Sequence, residues 1–345
     1  MESERSVSLS NEPKGVCIVN AKRLHAAILC LCLWAGLALL PGAARAAETY
    51  TMDFSKSIDI SWGAEVHNIN FSTTDASGTG WRWTHANKTL TLTGLTFTTT
   101  AAVAMKLPHD TTLALADGTV NAVTSTYAGI DDNSYGLFCV GSLIVSGGGS
   151  LTAKGGNPTS AVNSYGVCVW DMNFNSGSLT MLGGTLIGLG GTSMNAASSG
   201  VYVRGEITVG GGTLKGVGDI GKFVSIGVHG YNGVAVSGGT LEAIGGTVLS
   251  GEPELLQSLG ILTRNDGVIA LSGGTTLAKG YTGALRKAAT LGAGLTAKAS
   301  TAFDGSAPVA YVADNNGAYL WFKAEIVVPP DDKPVAPKNG GRNAA

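Results

Sequence analysis

The sequence predicts an all-β protein, built as a right-handed parallel β-helix (a solenoid) with capped ends. The 345 residues include 51 glycines but only 10 prolines and 13% charged residues, a composition typical of many tight turns between short strands. A glycine-rich unit recurs along the chain, and within each unit apolar residues alternate with small or polar ones. A period of two indicates strands, because helices repeat every 3.6 residues.

Each unit carries two landmarks, Ser-x-Gly and then Gly-Gly-Ser/Thr-Leu. The first landmark begins at Ser134, Ser164, Ser198, Ser225 and Ser258. The glycine pairs begin at Gly148, Gly183, Gly211, Gly238 and Gly273, and are 35, 28, 27 and 35 residues apart. We interpret the last pair, Gly273-Gly274-Thr275-Thr276-Leu277, as a unit with one inserted residue. The uneven spacing predicts constant strands joined by loops of different length.

The stretch GVAVSGGTLEAIGG, residues 233–246, shows what one unit is expected to do. Val234, Val236 and Leu241 should face inward and Glu242 should face water, while the glycines make corners at positive φ. About 27 residues then make one coil of three strands, and stacked coils bury each other's apolar residues. A β-sandwich or propeller is the alternative, although a propeller blade typically needs about 40 residues.

The predicted organisation has five parts. They are a signal peptide (1–46), an N-terminal cap (47–80), the β-helix repeats (81–280), C-terminal capping strands (281–327) and a proline-rich disordered tail or linker (328–345). Within residues 81–120, Asp117-Gly118-Thr119-Val120 is expected to stand in place of Gly-Gly-Thr-Leu. Trp81 and Trp83 are expected to seal the end of the core.

The first 46 residues have the pattern of a secretory signal. Lys22 and Arg23 precede the apolar run from Ala26 to Leu40, and Ala44-Arg45-Ala46 is a small-x-small cleavage pattern, so cleavage is predicted before Ala47. The apolar run of 15 residues is shorter than the roughly 20 that span a bilayer, which makes a retained anchor the weaker alternative. The protein is therefore expected to be secreted or on the cell surface, without a transmembrane segment after cleavage.

Charge and cysteine content limit the function further. Beyond residue 46 the chain has 17 basic and 21 acidic residues, so no basic excess is present to neutralise a nucleic acid. Cys139 and Cys168 remain after the leader. Cys139 lies three residues after its anchor glycine and Cys168 two after, so the two side chains should point to opposite sides of a strand and stay as thiols, at least one of them buried.

Several stretches resemble a known family. KTLTLTGLTF, AVAMKLPHDTTLAL, SLIVSGGGSLTAKGG and VAVSGGTLEAIGG are similar to secreted bacterial β-helix proteins of the carbohydrate-binding-domain-containing type, within the wider pectin-lyase-like group. The resemblance covers roughly residues 80–280. It implies a secreted or cell-surface protein that binds glycans, and it transfers no catalytic residue.

Few residues suggest catalysis or a cofactor. Asp131 and Asp132 are the acidic pair of the repeat region; we interpret them as a solvated turn, with calcium binding as the alternative. Asp171, Asp219, Asp266, Arg204 and Arg264 are isolated along the chain, so a polysaccharide lyase or hydrolase remains a second hypothesis that only the fold could support. The histidines match no metal spacing, and no cofactor other than calcium is considered.

Aromatic residues are the best candidates for glycan binding, because the apolar face of a sugar stacks on an aromatic ring. The candidates are Trp170, Tyr165, Tyr202 and Tyr231, with packing against neighbouring loops as the alternative. The favoured hypothesis is a non-catalytic glycan-binding or adhesion module whose partner is an extracellular polysaccharide or a host or cell-surface glycan. A purely structural surface spacer is the third hypothesis.

Overall fold

The chain forms a parallel β-helix, as the sequence predicts. The structure, a computed structural model, describes residues 51–54, 57–62, 65–70, 74–170, 177–249 and 256–327. Each coil contributes one strand to each of three sheets, and strands of successive coils pair in parallel. The β-sandwich and propeller alternatives are therefore wrong. The predicted signal peptide and the tail 328–345 lie outside the described residues.

Strands make up most of the described chain. In chain order they are β1 Met52–Asp53, β2 Ser57–Trp62, β3 Glu65–Asn70, β4 Ala76–Gly78, β5 Trp81–Thr84, β6 Thr89–Leu92, β7 Thr96–Thr99, β8 Val103–Leu107, β9 Thr111–Leu115, β10 Val120–Ser125, β11 Ser134–Cys139, β12 Leu143–Gly147, β13 Ser150–Lys154, β14 Ser164–Val169, β15 Leu179–Met181, β16 Thr185–Leu189, β17 Ala197–Val203, β18 Glu206–Val209, β19 Thr213–Val217, β20 Val224–Gly230, β21 Gly233–Val236, β22 Thr240–Ile244, β23 Gln257–Thr263, β24 Val268–Leu271, β25 Thr275–Lys279, β26 Gly283–Leu285, β27 Ala289–Leu291, β28 Leu295–Ser300, β29 Val309–Ala310 and β30 Trp321–Ile326. Two short 3-10 helices span His85–Asn87 and Ala313–Ala318.

The strands form three long sheets and one hairpin. Sheet 1 has the order β1, β8, β11, β14, β17, β20, β23, β26. Sheet 2 has the order β4, β5, β6, β9, β12, β15, β18, β21, β24, β27, and sheet 3 the order β7, β10, β13, β16, β19, β22, β25, β30, β28, β29. β2 and β3 pair with each other in an antiparallel hairpin. Among the described helices, none has the length and apolar character that crossing a bilayer requires.

The interior consists of like residues stacked from coil to coil. Leu186, Leu214 and Leu241 pair in register on sheet 3, and all three are fully buried. In the unit at 233–246 the inward positions are those predicted, with Val234 and Val236 each 1% exposed. Glu242 points outward, and its carboxylate pairs with the ammonium of Lys215 at 3.0 Å. Period-two alternation therefore separates core from surface.

The second glycine of the pair makes the corner before sheet 3. Gly184, Gly212, Gly239 and Gly274 have φ between 62° and 68°, the left-handed region that a Cβ disfavours. A Cβ on Gly212 would also lie 2.3 Å from the carbonyl oxygen of Gly184 in the coil before it. The repeat thus requires glycine both for the turn and for the close approach of successive coils.

The serine of Ser-x-Gly ties one coil to the next. The Ser164 hydroxyl donates to the carbonyl oxygen of Gly156 at 2.7 Å and accepts from the amide of Gly191, one coil further, at 2.8 Å. Ser225 and Ser258 repeat this donation to a corner carbonyl, and both also accept from the next corner's amide. These hydroxyls satisfy buried backbone groups that the corners leave without a strand partner.

Two landmark alignments made from the sequence are wrong by one residue. Val120 pairs with Ser150, so it points outward and is 57% exposed, while Asn121 occupies the interior position of the leucine. At the other end Thr275 pairs with Thr240 and Thr276 with Leu241, so no residue is inserted there. Thr276 takes the interior position, 1% exposed, and the following leucine faces outward.

Asn121 sits in the core because its amide is satisfied there. Its Oδ1 accepts from the amides of Gly94 and Leu95, each at 2.8 Å, and its Nδ2 donates to the carbonyl oxygen of Ser150 at 2.9 Å. The buried asparagine therefore supplies hydrogen bonds that a leucine could not make.

The first coils end in antiparallel strands and a cluster of rings. β4, β5 and β6 pair antiparallel, in contrast to the coils that follow. Trp81 and Trp83 on β5 are 2% and 1% exposed, and the ring of Phe54 lies 5.4 Å from that of Trp81, edge-on. The expectation that the two tryptophans pack into the core is confirmed.

At the other end β30 pairs antiparallel with both β25 and β28. Phe322 on β30 is fully buried, and the ring of Tyr311 meets it edge-on at 4.9 Å. The parallel edge of sheet 3 is therefore covered by antiparallel strands, and the two-residue strand β29 becomes the edge of the sheet.

The two cysteines are free thiols, as predicted. Both are fully buried. Cys139 lies within the main core. Cys168 pairs in register with Phe138, the residue directly before Cys139, so the side chains of Cys168 and Cys139 lie on opposite sides of sheet 1. Burial raises the pKa of Cys139 to about 12 and that of Cys168 well above its ordinary value, so both stay protonated.

Candidate functional site

The outer face of sheet 1 carries large side chains in two rows parallel to the solenoid axis. In the first row, Tyr135 lies in register beside Tyr165. In the second row, Cys168 lies beside Tyr202, and Tyr202 lies beside His229. The anchor glycine between the two rows approaches sheet 3 closely, since a Cβ on Gly166 would lie 2.1 Å from the amide nitrogen of Leu189. The chain bends at this glycine, and residues on both sides of it reach the outer face.

The rings on this face form a continuous series, which we call the aromatic ladder. Tyr135 and Tyr165 stack with centroids 5.4 Å apart, and Tyr202 follows at 5.3 Å from Tyr165. His229 meets Tyr202 edge-on at 4.9 Å and lies 6.0 Å from Tyr231. Three strand spacings, about 14 Å, separate the first coil of the ladder from the last.

A third row begins where the strands of sheet 1 end. Strand ends Val169, Val203, Gly230 and Thr263 are in register from coil to coil. The residues directly after them therefore form one row: Trp170, Arg204, Tyr231 and Arg264. Backbone hydrogen bonds continue through this row, with Arg204 N donating to Val169 O at 2.9 Å and Tyr231 N to Val203 O at 2.9 Å.

The ladder and the third row enclose a cavity of about 310 Å³ on the side of the solenoid. We call this cavity the lateral groove, and the residues that define it are Tyr165, Tyr202, Arg204, His229, Tyr231 and Arg264. A second cavity of about 300 Å³ shares Tyr231 and Arg264 with the first and adds Arg286 and Lys287. Because they share two lining residues, the two cavities are neighbours along one path on the side of the solenoid.

Arg204 is held in place by two tyrosines. Its guanidinium carbon lies 4.1 Å from the centre of the Tyr231 ring, and its Nη1 donates to the Tyr202 hydroxyl at 3.4 Å. The hydrogen bond to Tyr202 raises the pKa of Arg204, so the guanidinium keeps its charge. Stacking fixes the plane of the guanidinium and leaves its edge toward the cavity available for a ligand.

His229 lies at the floor of the groove and is neutral. It is 5% exposed, and its Nε2 atom has no hydrogen-bond partner among the described residues. Burial, and then the charges of Arg264 and Arg204, lower the pKa of His229 to about 3. A buried ring nitrogen without a partner costs free energy, which a ligand group that hydrogen-bonds to it would recover.

The predicted aromatic residues separate into two groups. Tyr165, Tyr202 and Tyr231 come together in the lateral groove. Trp170 belongs to the third row but is not among the described residues that line the cavity. It is half-buried, and its Nε1 has no partner in the described part of the chain.

The charged residues that are isolated in the sequence also separate. Arg204 and Arg264 line one cavity although they are 60 positions apart in the chain. Asp219 accepts from the hydroxyl of Thr192 at 3.1 Å, in a loop. Asp266 is exposed, and Asp171 lies outside the described residues.

Asp131 and Asp132 lie in an exposed turn. The backbone amides of both donate to the hydroxyl of Tyr127 at 3.3 Å, which fixes the turn. In the described ranges no group of three or more histidine, cysteine, aspartate or glutamate side chains is arranged to hold a metal. Calcium binding at this turn stays a prediction.

The sequence did not indicate His229 as a site residue, nor that Arg204 and Arg264 line the same cavity. His229 follows a strand pattern in which any residue type could occupy the outer position, so no local signal marks it. The available signal was positional: Arg204 and Arg264 each directly follow an apolar strand that ends a Ser-x-Gly unit.

The fold and this face define a class of protein, a parallel β-helix with a lateral groove of aromatic and basic side chains. Comparison with protein-family models, with curated proteins and with solved structures finds no match to this chain. The functional argument therefore depends on the groove itself.

Proposed function

We propose that this protein is a secreted or cell-surface glycan-binding module that holds its ligand in the lateral groove. The observation that carries this proposal is the aromatic ladder beside an open cavity of about 310 Å³. Tyrosine rings present an apolar face to a sugar and a hydroxyl to its polar groups.

The shape of the groove supports a polymer over a single sugar. The aromatic positions follow the solenoid axis, one coil after another, and the second cavity continues the first past Tyr231 and Arg264. A chain of sugars lying parallel to the axis could contact several coils at once. A small ligand would use only part of the path.

His229 with its two arginines is the one arrangement that favours an enzyme, because a lyase needs a base beside groups that neutralise a carboxylate. A general base works best when its pKa is near the working pH, whereas the pKa of His229 is about 3. This weak basicity favours binding over catalysis. The appearance of unsaturated products from acidic polysaccharides, lost in His229→Gln, would instead establish a lyase.

Binding is tested by affinity electrophoresis of the purified protein through gels that contain single polysaccharides. Tyr202→Ala and Tyr231→Ala should lose most of the retardation that the wild-type protein shows. Tyr281→Ala is the matched control, because Tyr281 is 52% exposed and stacks on Phe303 away from the groove. Equal retardation of all three variants contradicts the groove as the site, and no retardation by any glycan favours the structural spacer.

Export has its own test. Expression of the full chain in a bacterial host, followed by N-terminal sequencing of the protein outside the cytoplasm, should give a mature start at Ala47. Retention of the intact leader in the membrane fraction would support the anchor alternative.

A further inference from the structure

We propose that the lateral groove recognises a negatively charged group on the sugar, a carboxylate or a sulfate ester, together with a hydroxyl near it. This inference rests on the proposed glycan binding and specifies the chemistry of the ligand. It depends on three features of the groove: converging arginines, the lack of an opposing carboxylate among the described lining residues, and the buried His229.

Positive charge reaches the groove from three coils, with the coil of Tyr231 between those of Arg204 and Arg264. Arg204 and Arg264 line the first cavity, and Arg264 and Arg286 line the second. Lys287 also lines the second cavity, but its ammonium already donates to the carbonyl oxygens of Asn265 and Gly267. Lys287 keeps its charge but is tethered to these carbonyls, whereas the planar forks of the arginines match a carboxylate or sulfate.

The described residues that line the two cavities include no aspartate or glutamate. None of the ion pairs found in the described ranges involves Arg204, Arg264 or Arg286. Asp266 is close in the chain to Arg264, but it is exposed and does not line either cavity. The protein has a formal charge of −2, so this local positive charge contrasts with the whole molecule and is not part of a general basic surface.

The groove is a built site because its parts are positioned before a ligand binds. Arg204 is stacked on Tyr231 and hydrogen-bonded to Tyr202, so little side-chain entropy is lost when it pairs with an anion. His229 is almost completely buried and lines the same cavity, and its Nε2 atom has no hydrogen-bond partner in the described structure. A hydroxyl can donate to or accept from this atom, whichever ring nitrogen carries the proton.

Charge and hydroxyl both have partners in this arrangement. A hydroxyl can satisfy the Nε2 atom of His229 in either tautomer, whereas an anion can only accept from it, and a neutral sugar would leave the arginines without a partner. Acidic sugars carry a charged group and hydroxyls on one ring. The inference therefore predicts that charge decides which polysaccharides bind.

The test compares acidic polymers with neutral polymers of matched backbone. Suitable pairs are polygalacturonate and its methyl ester, carboxymethyl dextran and dextran, and dextran sulfate and dextran, with a single-stranded oligonucleotide as a further anionic probe. Binding is measured by affinity electrophoresis and titration calorimetry on the wild-type protein, R264Q and R82Q. Arg264 and Arg82 are both exposed, and Arg82 lies on β5, away from the groove.

We expect the wild-type protein to bind at least one acidic polymer and not its neutral partner, with affinity that falls as salt rises. Loss of one charge-assisted hydrogen bond should weaken binding about 10-fold to 100-fold in R264Q. R82Q should bind as the wild type does. Comparison of the carboxylated polymers with dextran sulfate shows whether the groove binds a carboxylate or a sulfate ester.

Three results overturn the inference. Equal binding of a neutral polymer and its acidic partner overturns it but leaves the proposed glycan binding in place. Binding of no polysaccharide overturns both. Tighter binding of the oligonucleotide than of every polysaccharide assigns the groove to another class of polymer.

Discussion

At the residue scale, the serine of each anchor does more for the fold than its small size suggests. Ser164 both donates and accepts within the buried corner, so its hydroxyl connects two coils. Removing it leaves one backbone carbonyl and one amide without partners, and water has no access to replace them. Such losses cost about 1–3 kcal/mol per buried group.

Ser164→Ala should therefore lower the free energy of unfolding by about 2–6 kcal/mol, since two buried groups lose their partner. Denaturant unfolding followed by circular dichroism measures this change. Ser237→Ala is the control, because Ser237 is exposed and makes no side-chain hydrogen bond in the described structure. A change no larger than that of the control would show that the corner hydroxyl is dispensable.

His229 makes stability depend on pH in a defined direction. Its folded pKa of about 3 is below the ordinary 6.5, so between these values the unfolded chain binds a proton that the folded chain does not. Stability from this group is complete above the ordinary pKa and is lost as pH falls toward the folded pKa. The slope is at most about 1.4 kcal/mol per pH unit.

The melting temperature should therefore fall as pH drops through this window, and His229→Gln should reduce the dependence. Thermal unfolding between about pH 7 and about pH 4 measures it. His109→Gln, at an exposed histidine paired with Asp110, serves as the control. An unchanged slope in His229→Gln would show that other groups control acid unfolding.

At the scale of the strand, position in the coil determines which residue type is tolerated. Asn121 occupies an interior leucine position because the corner before it presents two amides that need an acceptor. A hydrophobic residue would fill the same space but leave Gly94 and Leu95 without that acceptor. Apolar burial and hydrogen bonding therefore favour opposite residues at this position.

Asn121→Leu should destabilise the protein by about 1–3 kcal/mol although it restores the residue found in most of the other coils. Denaturant unfolding tests this, with the exposed neighbour change Val120→Leu as the control. Increased stability in Asn121→Leu would show that burial of the side chain outweighs the lost hydrogen bonds.

At the scale of the whole molecule, the core and the lateral groove are on different sides of sheet 1. The core stacks Leu214 between Leu186 and Leu241 on sheet 3, whereas the groove lies on the outer face of sheet 1. Changes in one should affect the other only through unfolding. Stability and binding can therefore be separated experimentally.

Leu214→Ala should reduce the free energy of unfolding by about 2–5 kcal/mol, the usual cost of a cavity in a closely packed core. Below the melting temperature the variant should bind its glycan as the wild type does, since no groove residue changes. Lys215→Ala is the control: it removes a half-buried surface ion pair with Glu242, which contributes about 1 kcal/mol. Loss of binding by folded Leu214→Ala would show that the core positions the groove.

The sequence allowed the fold to be predicted because period-two alternation and glycine corners are local properties. Even the opposite sides of Cys139 and Cys168 follow from counting residues after the anchor. The alignments at Asn121 and Thr276 were wrong because the Gly-Gly-Ser/Thr-Leu landmark is altered in both units. Without the landmark, the alternation of apolar and polar residues does not tell which residue begins the strand. Hydrogen bonds from neighbouring coils decide that register.

The groove could be predicted only in part. Tyr165, Tyr202 and Tyr231 stand out as aromatic residues near repeated positions, but their meeting with Arg204, His229 and Arg264 depends on coil stacking. Loops of unequal length separate these residues in the chain, so their spacing alone carries no common period. Only the register of the strand ends places them in one row.

The third row gives the molecule a way to change the reach of its groove in fixed steps. Each coil adds one residue to the row and one strand spacing, about 4.8 Å, to its length. Duplication of a single repeat in the gene would extend the groove by that step, and loss of a repeat would shorten it, with the same leucine and valine stacks continuing inside. Polymer length and charge spacing could thus be matched by repeat number, without any redesign of the core.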